Sequence, residues 1–82
     1  MPTVLRFGKL RVMIYTNDHR PLHVHVIGPG AQARILLGEE GERPRLMTNE
    51  GLSGRQLGQA LVEIGRNRDL LVQRWREIHG DA

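Results

Sequence analysis

Asp18-His19-Arg20-Pro21-Leu22-His23-Val24-His25 brings together most of the ionisable chemistry this chain has to offer. Three of its four histidines, His19, His23 and His25, fall inside ten residues, with Asp18 and Arg20 among them. Histidine is the side chain that gives or takes a proton near neutral pH, and it is also the commonest nitrogen ligand for a metal. Alternation along a strand places His23 and His25 on one face, about 7 Å apart at Cα. Such a pair suits a divalent Zn, Fe or Mn ion when a third ligand arrives from elsewhere. His19 or Asp18, in the preceding turn, supplies that third position, and His79 is a fourth if the chain's end folds back.

The same residues support metal-free acid–base chemistry. One imidazole takes the 2′-hydroxyl proton of RNA, a second protonates the leaving oxygen, and an arginine stabilises the charged phosphorane. His19, His23, His25 and Arg20 are the candidate catalytic groups, with Asp18 orienting an imidazole through its second nitrogen. Arg11 and Arg34 stand on neighbouring strands. A third reading is structural: Asp18 caps backbone amides, and the imidazoles hold a turn and cover a sheet.

These residues need a scaffold, and the pattern of the chain supplies one. Val4 to Phe7 is a short apolar run, and LRVMIYT is rich in β-branched and aromatic residues, with Gly8-Lys9 as a tight turn between them. Leu10, Val12 and Ile14 share one face, and Arg11, Met13 and Tyr15 the other. Asn17 to Pro21 is turn chemistry. HVHVIG alternates strictly, so Val24 and Val26 face away from the two histidines. Gly28-Pro29-Gly30 is a second turn, ARILL a returning strand, GEEGE an acidic turn, and RPRLM a last edge strand that tolerates Pro44. Ser53 and Gln56 fit a capping box, flanked by Leu52 and Leu57 as a staple. Leu57, Leu61, Ile64, Leu71, Trp75 and Ile78 then form a helical stripe, interrupted by Arg68. Gly65 and Asn67 would end one helix and cap another, so the pattern fits one kinked helix or two. Gly80 closes the helical part. The expectation is one α+β domain over residues 1–82: a small, mostly antiparallel sheet of four or five strands over residues 3–47, then C-terminal helix over 53–79.

Composition bounds the function. The chain has 82 residues, no cysteine and a formal charge of +3. Thiolate metal sites and disulfides are excluded, and cysteine usage fits a reducing cytoplasm. No apolar run approaches the ~20 residues needed to span a bilayer. The opening MPTVLRFGKL lacks the zones of a signal peptide. A cytoplasmic protein is expected, and so thin a core points to a homodimer or a protein partner. Eleven of the twelve basic residues are arginine, which suits bidentate contacts with phosphate. Residues 1–38 carry +4, residues 39–51 carry −2 and the rest +1, so the excess lies with the histidines. A phosphate-cradling glycine loop is absent, because Gly28-Pro29-Gly30 is too short and no helix follows it.

Three stretches carry a resemblance: P-T-V-L-R-F-G-x-L-R-V-x-I-Y at the start, N-D-H-R-P-x-H-V-H-V, and N-R-D-L-L-x-x-x-W-x-x-I-H-G near the end. Together they resemble the bacterial family called domain of unknown function 4160, from Pro2 to Gly80. Leu22 stands where that family usually has a second proline, a change that removes no chemical group. The resemblance implies one half of a compact two-gene module of the toxin–antitoxin kind. The leading expectation for the chain is that it works by binding a protein partner and RNA, and the alternatives are a small hydrolase or metal-binding protein using the His19, His23 and His25 face, or a structural interaction module. The resemblance carries over no catalytic residue.

Overall fold

The computed structural model describes residues 3–16, 18–19, 21–38 and 42–80. Five strands come first: β1 (Thr3–Phe7), β2 (Leu10–Met13), β3 (His23–Gly28), β4 (Ala31–Leu36) and β5 (Arg45–Glu50). Two helices follow, α1 (Gly54–Arg66) and α2 (Arg68–His79). The strands form a single antiparallel sheet in sequence order, β1-β2-β3-β4-β5. This is the expected α+β architecture, with tight turns joining β1 to β2 and β3 to β4 and longer connections joining β2 to β3 and β4 to β5. Gly8 at φ 56° and Gly30 at φ 66° take left-handed positions in the two tight turns, a conformation glycine reaches without a Cβ clash.

One face of the sheet is the core. Leu10, Val12, Ile14, Val24, Val26, Ala33, Ile35 and Leu37 pack with Ala60, Ile64, Leu71 and Trp75 of the helices. The opposite face carries the polar partners of the alternation. Across it the register aligns Met13, His25, Arg34 and Thr48 in one row, and Arg6, Arg11, Ile27, Gln32 and Glu50 in another. His23 stands beside Leu36 in a third row. The helical stripe lies as the spacing predicts, with Ile64, Leu71 and Trp75 buried.

Boundaries differ from the sequence pattern in four places. LRVMIYT stops being a strand at Met13, because the Tyr15 backbone is engaged by a turn instead of a neighbouring strand: its N–H donates to Asp18 Oδ2 and its carbonyl accepts from the Asp18 N–H. The β4 strand starts earlier than ARILL, at Ala31, which pairs with Gly28 across the turn. Pro44 lies before the last strand rather than in it, since it has no N–H to donate; β5 runs from Arg45 to Glu50, beyond the expected end at Met47. Finally, Asn67 separates two helices, yet its side chain serves only the first. Asn67 Nδ2 donates to the Glu63 carbonyl at 2.8 Å, α2 has no side-chain cap, and Gly65 sits inside α1. The Ser53–Gln56 capping box is formed in both directions. Glu39, Glu40 and Gly41 of the acidic turn lie outside the described residues.

Arg68, the apparent flaw in the helical stripe, ties the two layers together. Its Nε donates to the Leu37 carbonyl at 3.0 Å and its Nη2 to the Gly38 carbonyl. These carbonyls follow the end of β4, where the strand ladder no longer satisfies them. Among the described residues no helix is long and apolar enough to cross a membrane.

Candidate metal centre

Asp18, His23 and His25 converge. Their ligand atoms all lie within 4.8 Å of one another. Asp18 Oδ1 is 3.0 Å from His25 Nε2 and 3.4 Å from His23 Nε2. The cluster is largely covered: the side chains of Asp18 and His23 are 9% exposed and that of His25 13%.

Each member is held by an element with its own reason to form. The β3 alternation turns both histidines to the open face, and their rings lie edge to face at 5.2 Å. Asp18 reaches them from a turn closed twice, by its own N–H to the Tyr15 carbonyl at 3.1 Å and by the Tyr15 N–H to Oδ2 at 3.0 Å. The Tyr15 ring covers His25 at 4.1 Å. His79, at the end of α2, grips the same turn from the other side. Its Nε2 faces the Tyr15 carbonyl at 3.0 Å and its Nδ1 faces the Trp75 carbonyl at 3.1 Å, while its ring stacks on Trp75 at 4.0 Å. Both carbonyls only accept, so whichever ring nitrogen carries the hydrogen makes the bond.

Hydrogen-bond roles at His23 follow from the same rule. Its Nδ1 is 2.8 Å from the Pro21 carbonyl, which cannot donate, so Nδ1 carries a hydrogen. In the neutral ring Nε2 is therefore a lone pair, and it faces a carboxylate oxygen. Two acceptors 3.4 Å apart repel unless a cation lies between them. A proton on Nε2 meets that need, and so does a metal ion. Metal-bound histidines characteristically donate their other ring N–H to a carbonyl or carboxylate, as His23 does here. An ion about 2.1 Å from each ligand sets neighbouring donor atoms roughly 3.0–3.4 Å apart; Asp18 Oδ1 shows those spacings to both imidazoles, while the cluster as a whole extends to 4.8 Å, so an ion would draw the two imidazoles closer together.

The electrostatics of Asp18 favour its ionised form. Burial pushes its carboxyl up, but the hydrogen bond from His25, the Tyr15 N–H and the charges of His25 and His23 outweigh it, and the group is held below its ordinary value.

His19 is exposed and stands apart from the cluster, and Arg20 and Asn17 lie outside the described residues. His79 is committed to the two carbonyls rather than to the cluster. His23 and His25 both turn Nε2 toward the Asp18 carboxylate. The Pro21 carbonyl is the part that residue types could not reveal, because a main-chain group leaves no mark in composition. The i to i+2 spacing of Pro21 and His23 was the available signal. Beside the cluster a depression of about 240 Å³ opens on the sheet, lined by Tyr15, His25, Gln32, Arg34, Thr48 and Glu50.

Residues 10–76, most of the chain, match the family model described as domain of unknown function (DUF4160). No curated protein matches the chain, and no solved structure does.

Proposed function

The chain belongs to the DUF4160 family, and we propose that it is a divalent-metal-binding protein whose ion is held by Asp18, His23 and His25. The observation that carries this reading is the His23 ring: its Nδ1–H is spent on the Pro21 carbonyl, which aims its Nε2 lone pair at Asp18 Oδ1. Two imidazoles and a carboxylate, without thiolate, suit Zn, Fe or Mn. Three protein ligands leave further positions for water or substrate, and an ion so held polarises an oxygen or activates bound water. His25 also lines the depression on the sheet, so a ligand in it lies beside the ion.

The test is metal content and affinity. Protein stripped with chelator and titrated calorimetrically with Zn²⁺, Mn²⁺ and Fe²⁺ should take up one ion. His23→Ala and His25→Ala should each lose about 10-fold or more in affinity, since each removes one of three ligands. His19→Ala should bind as the parent does. No uptake by the folded parent would assign the gap to a proton and make the cluster a structural hydrogen-bond network.

The cellular setting within this proposal is a cytoplasmic two-gene module of the toxin–antitoxin kind with a small protein partner. Its support is the sequence resemblance. Growth measured while expressing this chain alone and with its genomic neighbour tests it; unaltered growth in both removes that part.

A further inference from the structure

The open face of the sheet has an electrostatic character that the metal cluster does not explain. Arg6 and Arg11 are directly opposite on β1 and β2, so they share a face, and both are exposed. Like charges in that position repel and destabilise a sheet unless an anion lies between them. Arg34, exposed next to His25, and Arg45, exposed next to Leu36, continue the same face. On the helices Arg66, Arg68 and Arg74 each have a carboxylate within 4.0 Å, and Arg55 and Arg76 have none among the described residues. The four sheet arginines have none among the described residues. Glu50 is the only acid in the five strands, and its carboxylate accepts from Gln32 at 3.0 Å.

We propose that this face binds the phosphodiester backbone of a single-stranded nucleic acid. The uncompensated charge is concentrated on this face, where the strands hold Arg6, Arg11, Arg34 and Arg45 against Glu50 alone, and its layout favours a chain over a single anion. The arginines do not converge on a pocket. They run from β1 to β5, four strand spacings of ~4.8 Å each, or ~19 Å, a path for several successive phosphates. Arginine is the suitable cation, because its planar fork matches two phosphate oxygens. Tyr15, over His25 at the centre of the path, presents one ring on which a base can stack. The arginine contacts use none of Asp18, His23 and His25, so binding of the phosphodiester backbone does not depend on the ion proposed above.

Fluorescence anisotropy of a labelled oligo(U) RNA, titrated with the full chain at several salt concentrations in excess chelator, tests the proposal. The parent should bind, and its affinity should fall with salt. The combined Arg6→Gln, Arg11→Gln, Arg34→Gln variant should bind more weakly, with its log–log salt slope smaller by about 2, from ~0.7 per lost phosphate contact on a single strand. A helix-surface control, Arg55→Gln with Arg76→Gln, should match the parent, and circular dichroism checks that each variant is folded. Equal binding of oligo(dT) supports recognition of the backbone. Four results overturn the proposal: no binding by the parent at low salt, equal loss in the helix control, binding of RNA without DNA, or binding that appears only when metal is restored. The last would place the nucleic acid on the ion and leave the metal reading standing; failure of metal uptake alone would leave the arginine face standing.

Discussion

Among the described residues, Asp18 draws several interactions onto one carboxylate. It accepts from His25 and from the Tyr15 N–H, and it faces His23. Its carboxyl is held below 3.8 because those contacts outweigh the burial that raises it. A depressed folded value means that the native state binds fewer protons than the unfolded chain near pH 4. The resulting stability is therefore fully present above the unfolded value and is lost as pH falls through the lower folded one. In metal-free protein, urea denaturation should show the parent's advantage over Asp18→Asn shrinking below about pH 4, and at pH 7 the variant should be less stable by about 1–2 kcal/mol. An advantage that is constant down to pH 2 would mean the carboxylate does not titrate with the fold. The residue types of this site were legible because Asp18, His23 and His25 are close in sequence and β alternation fixes the faces of two of them. His19 was equally plausible by type. Only the path of the turn, set by the double tie between Tyr15 and Asp18, decides which of the two neighbours points inward.

Elements were legible where one period or one motif dominates. The β3 strand reads unambiguously because HVHV has no other amphipathic solution, and Ser53 with Gln56 marks the start of α1 by mutual hydrogen bonds. Element ends were less legible, because they depend on where a partner strand or turn takes over the backbone groups. Tyr15 is the example: its pattern is that of a strand, while its N–H and carbonyl belong to the Asp18 turn. Arg68 is another, since a cation in an apolar stripe looks like a break until the carbonyls of Leu37 and Gly38 are placed beside it. The face assignment of β3 yields a comparison within one strand. Val26 is fully buried under the helices, whereas Ile27 is partly exposed on the open face. Val26→Asp places a carboxylate in the core without a partner, a cost of several kcal/mol. Ile27→Asp, next to Arg11, should cost less than about 1 kcal/mol. Thermal denaturation of the pair checks the register, and equal damage would mean that the strand had slipped by one residue.

For the molecule as a whole, the division of the sheet into a core face and a site face makes binding and folding one thermodynamic problem. A domain of 82 residues has a total stability of about 4–12 kcal/mol at 0.05–0.15 kcal/mol per residue. The core that supplies it is one layer of side chains between the sheet and two helices, with β5 exposed throughout, and Leu71 is fully buried in it. Truncating such a leucine costs about 2–5 kcal/mol, a large share of that total. Leu71→Ala should therefore melt far below the parent, and in the least stable case should be partly unfolded at 25 °C. Leu71 belongs to the core cluster, whereas His23 and His25 stand on the open face of β3, so the variant keeps the ligand set. An ion that binds only the folded chain at 100 times its dissociation constant returns about 2.7 kcal/mol. Added metal should then raise the melting temperature of Leu71→Ala and restore its native circular dichroism. The double variant Leu71→Ala, His23→Ala should gain no more than about half as much from the same metal, about 1.4 kcal/mol for a tenfold weaker site, because the turn, β3 and the ion have lost a shared ligand. Rescue of both variants alike would place metal binding elsewhere on the chain, and rescue of neither would leave a proton as the cation between His23 and Asp18.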